Sequence, residues 1–242
     1  MFTIISAYRF VDIDDCPSLR DRLHLAAQQA ALKGTVLIAS EGINLFLAGE
    51  AAAVRCWLDA LQSDTRFAAL PVKFSQAQSS PFKRLKVKLK AEIIRMNQPT
   101  VQVATKRAPA VDAATLARWL AAGQCDQGRE LVMLDTRNGF EVDHGAFEGA
   151  LDWRLQLFSD FPAALQAHRG ELDGKTVVSY CTGGIRCEKA ALWMAQAGVP
   201  HVLQLDGGIL KYFEATNDAP HFRGTCFVFD ERVALDVELN SA

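Results

Sequence analysis

None of the six cysteines, at positions 16, 56, 125, 181, 187 and 226, forms a C-x-x-C pair, and none of the five histidines forms an H-E-x-x-H. The common zinc frameworks are missing, so no metal site is expected. The longest apolar runs are strand-sized, too short for a membrane-spanning helix. The opening MFTIISAYRFVD has neither the basic start nor the cleavage site of a secretory signal. The expected location is therefore the cytoplasm, with free thiols and no membrane partner. There is little net charge: 26 Lys plus Arg against 28 Asp plus Glu leaves −2, which excludes a globally basic nucleic-acid coat protein. No segment repeats and none is low in complexity.

What is present is a globular chain of 242 residues, half of them hydrophobic and 22% charged, which rules out disorder and suits one large domain or two ordinary ones. Charge is uneven along it. Residues 1–95 hold 13 basic and 9 acidic side chains, and residues 96–242 hold 13 and 19, which hints at two units with different partners.

Residues 2–11 read as a strand from their β-branched and aromatic content. A helix from about residue 18 carries Leu19, Leu23, Ala26, Ala27 and Ala30 on one face, with Gly34 as its stop. Thr35–Ala39 and Ile43–Ala48 form a hairpin, Val54, Trp57, Leu58 and Leu61 stripe a second helix, and Pro71–Ser75 opens another strand. This β-α-β-β-α-β order is the ferredoxin-like (acylphosphatase-like) α+β layout. Its first strand-to-helix turn, 11–18, is acidic and lacks the glycine-rich, arginine-bearing phosphate loop of an acylphosphatase, so that activity is not expected. From residue 112 helices and strands alternate: Ala113–Ala122, Leu131–Leu134, Phe161–His168, Lys175–Tyr180, Glu188–Gln196 and Val202–Leu205, the rhythm of an α/β domain with a parallel sheet. The organisation predicted is a domain over 1–96, a linker over 97–111 and a second domain over 112–236.

The chemistry-bearing segment is KTVVSYCTGGIRCEKA, residues 175–190. It places Cys181 at the carboxyl end of a strand and before a helix, where open parallel sheets bind ligands. Thr182, Gly183, Gly184, Ile185 and Arg186 form a loop whose amides can point inward at an anion. The helix dipole and Arg186 favour thiolate over thiol, predicting an exposed nucleophilic sulfur at Cys181. Cys187 reads either as a packing residue or as a resolving thiol for Cys181. Cys16, Cys56, Cys125 and Cys226 read as structural. His144 and His201 have no spacing relation to Cys181 and read as structural or solvated. Asp135 and Arg137 suggest a structural ion pair near the same rim.

In FKRLKVKLKAEII, residues 82–94, Leu85, Val87 and Leu89 alternate with Lys86, Lys88 and Lys90. A period of two puts the apolar three on the core face and lines up the ammonium groups on the other, with Lys83 and Arg84 extending the charge. Such a ribbon either follows a phosphate backbone or is an edge strand guarded by lysines.

The loop CTGGIRC, with LDTRNGFE before it and LDGGILKYFE after it, resembles a rhodanese domain. With ASEGIN (39–44), PFKRLKVKLKAEII (81–94) and FVFDER (227–232), the chain over residues 2–235 is similar to the oxygen-dependent tRNA uridine hydroxylases. That resemblance implies a ferredoxin-like domain followed by a rhodanese-like α/β domain, and conversion of the wobble uridine of tRNA to 5-hydroxyuridine. It implies Cys181 as the required cysteine, the tRNA anticodon arm as partner and no DNA. The lack of any metal or dinucleotide motif leads to the expectation of no cofactor, with molecular oxygen as co-substrate if the chain is a hydroxylase, and the resemblance moves the lysine ribbon toward RNA. The chain departs from many rhodaneses at Gly145-Ala146-Phe147 and at Asp152-Trp153, and from larger relatives in lacking a cysteine-rich tail after FVFDER. A sulfurtransferase using the same cysteine is the alternative, with the sulfur or electron donor unassigned; an inactive adaptor is a third reading, which the complete loop weighs against.

Overall fold

A computed structural model describes residues 1–101, 103–216 and 218–241. The chain divides into two compact units, one from Met1–Arg95 with Val103–Thr105, the other from Met96–Gln102 with Lys106–Ala242.

The first unit contains β1 (Phe2–Phe10), α1 (Cys16–Gln29), β2 (Lys33–Ala39), β3 (Gly42–Gly49), α2 (Ala51–Gln62), β4 (Val72–Ala77) and β5 (Leu85–Leu89). The sheet order is β4-β1-β3-β2-β5. The first four strands pair antiparallel, the ferredoxin-like arrangement, and β5 adds a parallel edge strand beside β2. Alternation along the strands turns Ile5, Val36, Ile38, Ile43, Leu45 and Leu47 to one face, where they meet Leu19 and Leu23 of α1 and Trp57 and Leu61 of α2. Ala26 and Ala30 pack at the margin of this core.

Helix α1 stops short of the glycine expected to end it. Ala31 adopts a positive φ of 53°, and the Leu32 N–H returns to the Ala27 carbonyl at 2.9 Å. Gly34 instead lies within β2, because a Cβ there would stand 2.0 Å from the Phe46 carbonyl oxygen. Glu41 and Asn44 of the ASEGIN segment have a structural task. The Glu41 carboxylate accepts from the Ile93 N–H at 2.7 Å and the Asn44 amide donates to the Ile93 carbonyl at 3.2 Å, tying the chain after β5 to the sheet.

The second unit contains β6 (Ala110–Val111), α3 (Ala113–Ala122), β7 (Leu131–Asp135), α4 (Gly139–Val142), β8 (Gly145–Phe147), β9 (Leu151–Asp152) and α5 (Phe161–His168). It continues with β10 (Thr176–Tyr180), α6 (Ile185–Gln196), β11 (Val202–Leu205), α7 (Gly208–Ala215), β12 (Phe222–Gly224), β13 (Cys226–Phe227) and β14 (Ala234–Leu235). The main sheet, β6-β11-β10-β7-β9, is parallel throughout. β10 is central and buried at every residue, as the unbroken run TVVSY requires of a strand covered on both faces. On one face Val178 and Tyr180 pack with Leu116 and Trp119 of α3 and with Ile209 and Tyr212 of α7. On the other, the Ser179 hydroxyl donates to the Cys187 carbonyl of α6 at 3.3 Å. Among the described residues no helix is long and apolar enough to cross a membrane.

Candidate active site

β10 ends at Tyr180 and α6 begins at Ile185, leaving residues 181–184 as the connection. Gly184 turns with φ 107°, a conformation that side-chain-bearing residues rarely adopt, and its N–H donates to the Cys181 Sγ at 3.1 Å. The first turn of α7 supports the loop from behind. Ile209 and Leu210 donate their N–H groups to the carbonyls of Cys181 (2.9 Å) and Thr182 (3.1 Å). A Cβ on Gly208 would stand 2.4 Å from the Cys181 carbonyl oxygen, so only glycine fits at this approach. Sequence reasoning assigned LDGGIL no such role; the signal was its paired glycines directly after an apolar strand.

The sulfur is buried, with 0% of Cys181 exposed, which corrects the expected exposed nucleophile. The loop is drawn inward by α7 and closed by α6, and the Thr182 hydroxyl reaches the Phe227 carbonyl at 3.5 Å. The surroundings are nonetheless polar. Burial alone pushes the Cys181 thiol up, but the Cys187 thiol, the Arg186 charge and the N–H groups of Cys187 and Gly184 outweigh it, holding Cys181 well below the ordinary thiol range. Burial and the adjacent Cys181 push Cys187 well above that range. The two Sγ atoms lie 3.9 Å apart, and their surroundings push the two thiols in opposite directions, favouring ionisation at Cys181 over Cys187. The Cys187 proton also has the Gly184 carbonyl at 3.0 Å and the Gln204 Oε1 at 3.7 Å as acceptors.

Arg186 does not act as an isolated cation. Its guanidinium makes two bonds to the Glu141 carboxylate, 2.5 and 2.7 Å, and that carboxylate also accepts from the Asn138 N–H at 3.0 Å. Glu141 is fully buried and was missed in the sequence, although it sits in the DTRNGFE segment. Asp135 and Arg137 form the anticipated structural ion pair at 2.6 Å, both side chains fully buried, and Arg137 further donates to the Gly145 carbonyl at 2.7 Å. A shallow cavity of about 570 Å³ is lined by His144, Phe147, Glu148 and Arg223, and Cys181 is not among its walls. The His144 ring packs 5.2 Å from that of Phe227, and among the described hydrogen bonds none joins His144 or His201 to Cys181. Phe140 and Phe229, 47% and 60% exposed, stand with Phe227 in edge-to-face contacts, and the Arg186 guanidinium lies 6.0 Å from the Phe229 ring centre.

Residues 2–93 match the UPF0176 acylphosphatase like domain, and residues 112–215 match the Rhodanese-like domain. The tRNA uridine(34) hydroxylase of Bordetella petrii is 61% identical over 238 residues, covering 98% of this chain and 94% of that protein. The protein of the same name from Bordetella pertussis is 60% identical, covering 97% and 96%, and that from Variovorax paradoxus 58%, covering 98% and 90%. This chain belongs to the tRNA uridine(34) hydroxylase family.

In this family member the carboxyl-terminal unit brings Cys181, Gly184, Arg186 and Cys187 together around one sulfur. Thr182, Gly183 and Ile185 are half-buried in the same loop, and Gly183 has open space where a Cβ would stand. The predicted cations lie on the other unit. Lys83, Arg84, Lys86, Lys88 and Lys90 are all exposed, on or beside the edge strand β5. The expected apolar face of β5 is only partly realised. Val87 is buried and Leu85 half-buried, but Leu89 is 43% exposed, because an edge strand is left with little cover at its far end.

Proposed function

We propose that this chain hydroxylates C5 of the wobble uridine, uridine 34, in tRNA, with Cys181 as the nucleophile. The observation carrying this reading is a buried Cys181 sulfur that accepts the Gly184 N–H at 3.1 Å beside the Arg186 charge, surroundings that favour its thiolate. A uracil must leave its stack to be reached, and a single-stranded anticodon loop permits that at small cost. The thiolate adds to C6, the C5–C6 π electrons pass into an enolate, and C5 then bonds molecular oxygen, the co-substrate. No metal or organic cofactor is assigned. Lys83, Arg84, Lys86, Lys88 and Lys90 supply phosphate contacts along the anticodon arm without reading a base. The setting is the cytoplasm, where tRNA resides.

Nucleoside mass spectrometry of tRNA from cells with and without the protein tests the reading: 5-hydroxyuridine derivatives should vanish in its absence. RNA carrying 5-fluorouridine at the wobble position should trap a covalent adduct at Cys181, and a protein that gives none does not use this addition. The same N–H cage suits an anionic persulfide, so sulfur transfer from thiosulfate or a protein persulfide is the second reading. Replacing Lys86, Lys88 and Lys90 by Gln separates the two, since only the hydroxylation depends on gripping RNA.

A further inference from the structure

Hydroxylation by molecular oxygen leaves a gap in the electron count. Inserting one oxygen atom at C5 reduces the other to water only if two electrons and two protons are supplied. The structure holds a buried thiol that the addition step does not use. Cys187 Sγ lies 3.9 Å from Cys181 Sγ, in the first turn of α6, and its thiol donates to the Gly184 carbonyl and the Gln204 amide oxygen. Both sulfurs are fully buried, so bulk reductant has no direct path to either while the loop is closed.

We propose that Cys187 is a catalytic residue and that the Cys181–Cys187 dithiol is the two-electron donor of each hydroxylation, ending as a disulfide. The inference rests on the hydroxylase reading. After Cys181 has bonded C6 and C5 has bonded oxygen, a C5 hydroperoxide stands beside Cys187. The Cys187 sulfur attacks the distal oxygen, the O–O bond breaks, and the products are a C5 hydroxyl and a Cys187 sulfenic acid. Loss of the C5 proton then expels Cys181 from C6 and restores the C5–C6 double bond. The freed Cys181 thiolate attacks the sulfenic sulfur, forming the disulfide and releasing the second oxygen as water. In sum, uridine, one oxygen molecule and two thiols become 5-hydroxyuridine, one disulfide and one water. The opposite shifts of the two thiols suit this order, with burial and the adjacent Cys181 favouring the protonated form of Cys187 and the loop N–H groups and Arg186 favouring the thiolate of Cys181. The 3.9 Å separation closes to a disulfide bond by a small movement of the glycine-containing loop. Renewal of the dithiol requires an external thiol reductant that reaches the site after product leaves.

The test uses the full-length protein, reduced, freed of reductant and mixed in oxygenated buffer with a synthetic anticodon stem–loop carrying uridine at the wobble position. Product nucleosides and protein thiols are followed together by mass spectrometry after alkylation. Wild-type protein should form one 5-hydroxyuridine for each Cys181–Cys187 disulfide and then stop until a dithiol is added. Cys187→Ser, whose hydroxyl can still donate to the Gly184 carbonyl, should keep the 5-fluorouridine adduct at Cys181 while losing hydroxylation by about tenfold or more. The proposal is overturned if wild type makes product with both thiols still open to alkylation. It is equally overturned if Cys187→Ser hydroxylates at the wild-type level without added reductant. Wild-type protein that yields no 5-hydroxyuridine even with a dithiol present sinks the hydroxylase reading itself, which separates that failure from failure of the electron-donor role.

Discussion

The two units handle charge in opposite ways. In the amino-terminal unit the core is hydrocarbon, Asn44 is the one polar side chain among its described buried residues, and the cations of β5 all face solvent. In the carboxyl-terminal unit Asp135, Arg137, Glu141, Arg186, Glu188 and Lys189 are all buried. An exposed lysine row stays hydrated and so costs little structurally, and it is free to attract phosphate over about a Debye length. Ions taken out of water instead have to be paired, and a paired, rigid ion can hold a neighbouring sulfur in one protonation state. The difference fits the proposed division of labour, with attraction of a polyanion in one unit and nucleophile chemistry in the other.

The comparison is broken most severely by touching the sulfur. Cys181→Ser should lower hydroxylation by about a thousandfold or more, a loss read by nucleoside mass spectrometry on protein shown by circular dichroism to be folded. Next comes the buried ion pair. Asp135→Asn leaves Arg137 buried without its partner and should cost about 3–5 kcal/mol in the denaturation of the carboxyl-terminal unit. In contrast, Asp59→Asn on the exposed side of α2 should stay within about 0.5 kcal/mol. Comparable losses at the two sites would erase the distinction between the units.

A smaller effect concerns pH. The Cys181 pKa is depressed in the folded protein by the Cys187 thiol, the Arg186 charge and the loop N–H groups, so its thiolate absorbance should persist to lower pH than that of an ordinary thiol and disappear on further acidification. Its contribution to stability is full above the unfolded thiol pKa of about 8.5 and is lost as pH falls through the lower folded value. The double variant Arg186→Met with Glu141→Gln removes both partners of the pair and should shift that titration upward while destabilising the fold less than either single change. The smallest structural effect belongs to the lysine row. Replacing Lys86, Lys88 and Lys90 together by Gln should leave stability unchanged and make the salt dependence of RNA binding shallower by about two in the log–log slope.

The regular parts of both units were legible because hydrophobic periodicity reports directly on which face is buried. The stripe Val54, Trp57, Leu58 and Leu61 is the buried face of α2, and the unbroken TVVSY is the central strand. The end of α1 was misread, since Gly34 signals a close backbone approach to Phe46 rather than a helix stop, and a long-range clash leaves no local trace. In the site, the cysteine, its glycine loop and Arg186 are contiguous and so were readable together. Glu141 lies 45 residues before Arg186, and Gly208 lies 27 residues after Cys181, and neither distance has a sequence signature.

Period and loop chemistry alone determined that this chain builds a ferredoxin-like unit and a parallel α/β unit, its motifs carried the likeness to a rhodanese, and its glycine loop singled out Cys181 as the candidate nucleophile. Only the tertiary structure decided that the sulfur is enclosed, that Arg186 is shared with Glu141, and that Cys187 stands within reach of Cys181. The reason is physical: burial faces follow from neighbours a few residues apart, whereas the solvation and charge of a buried atom depend on every element that folds over it.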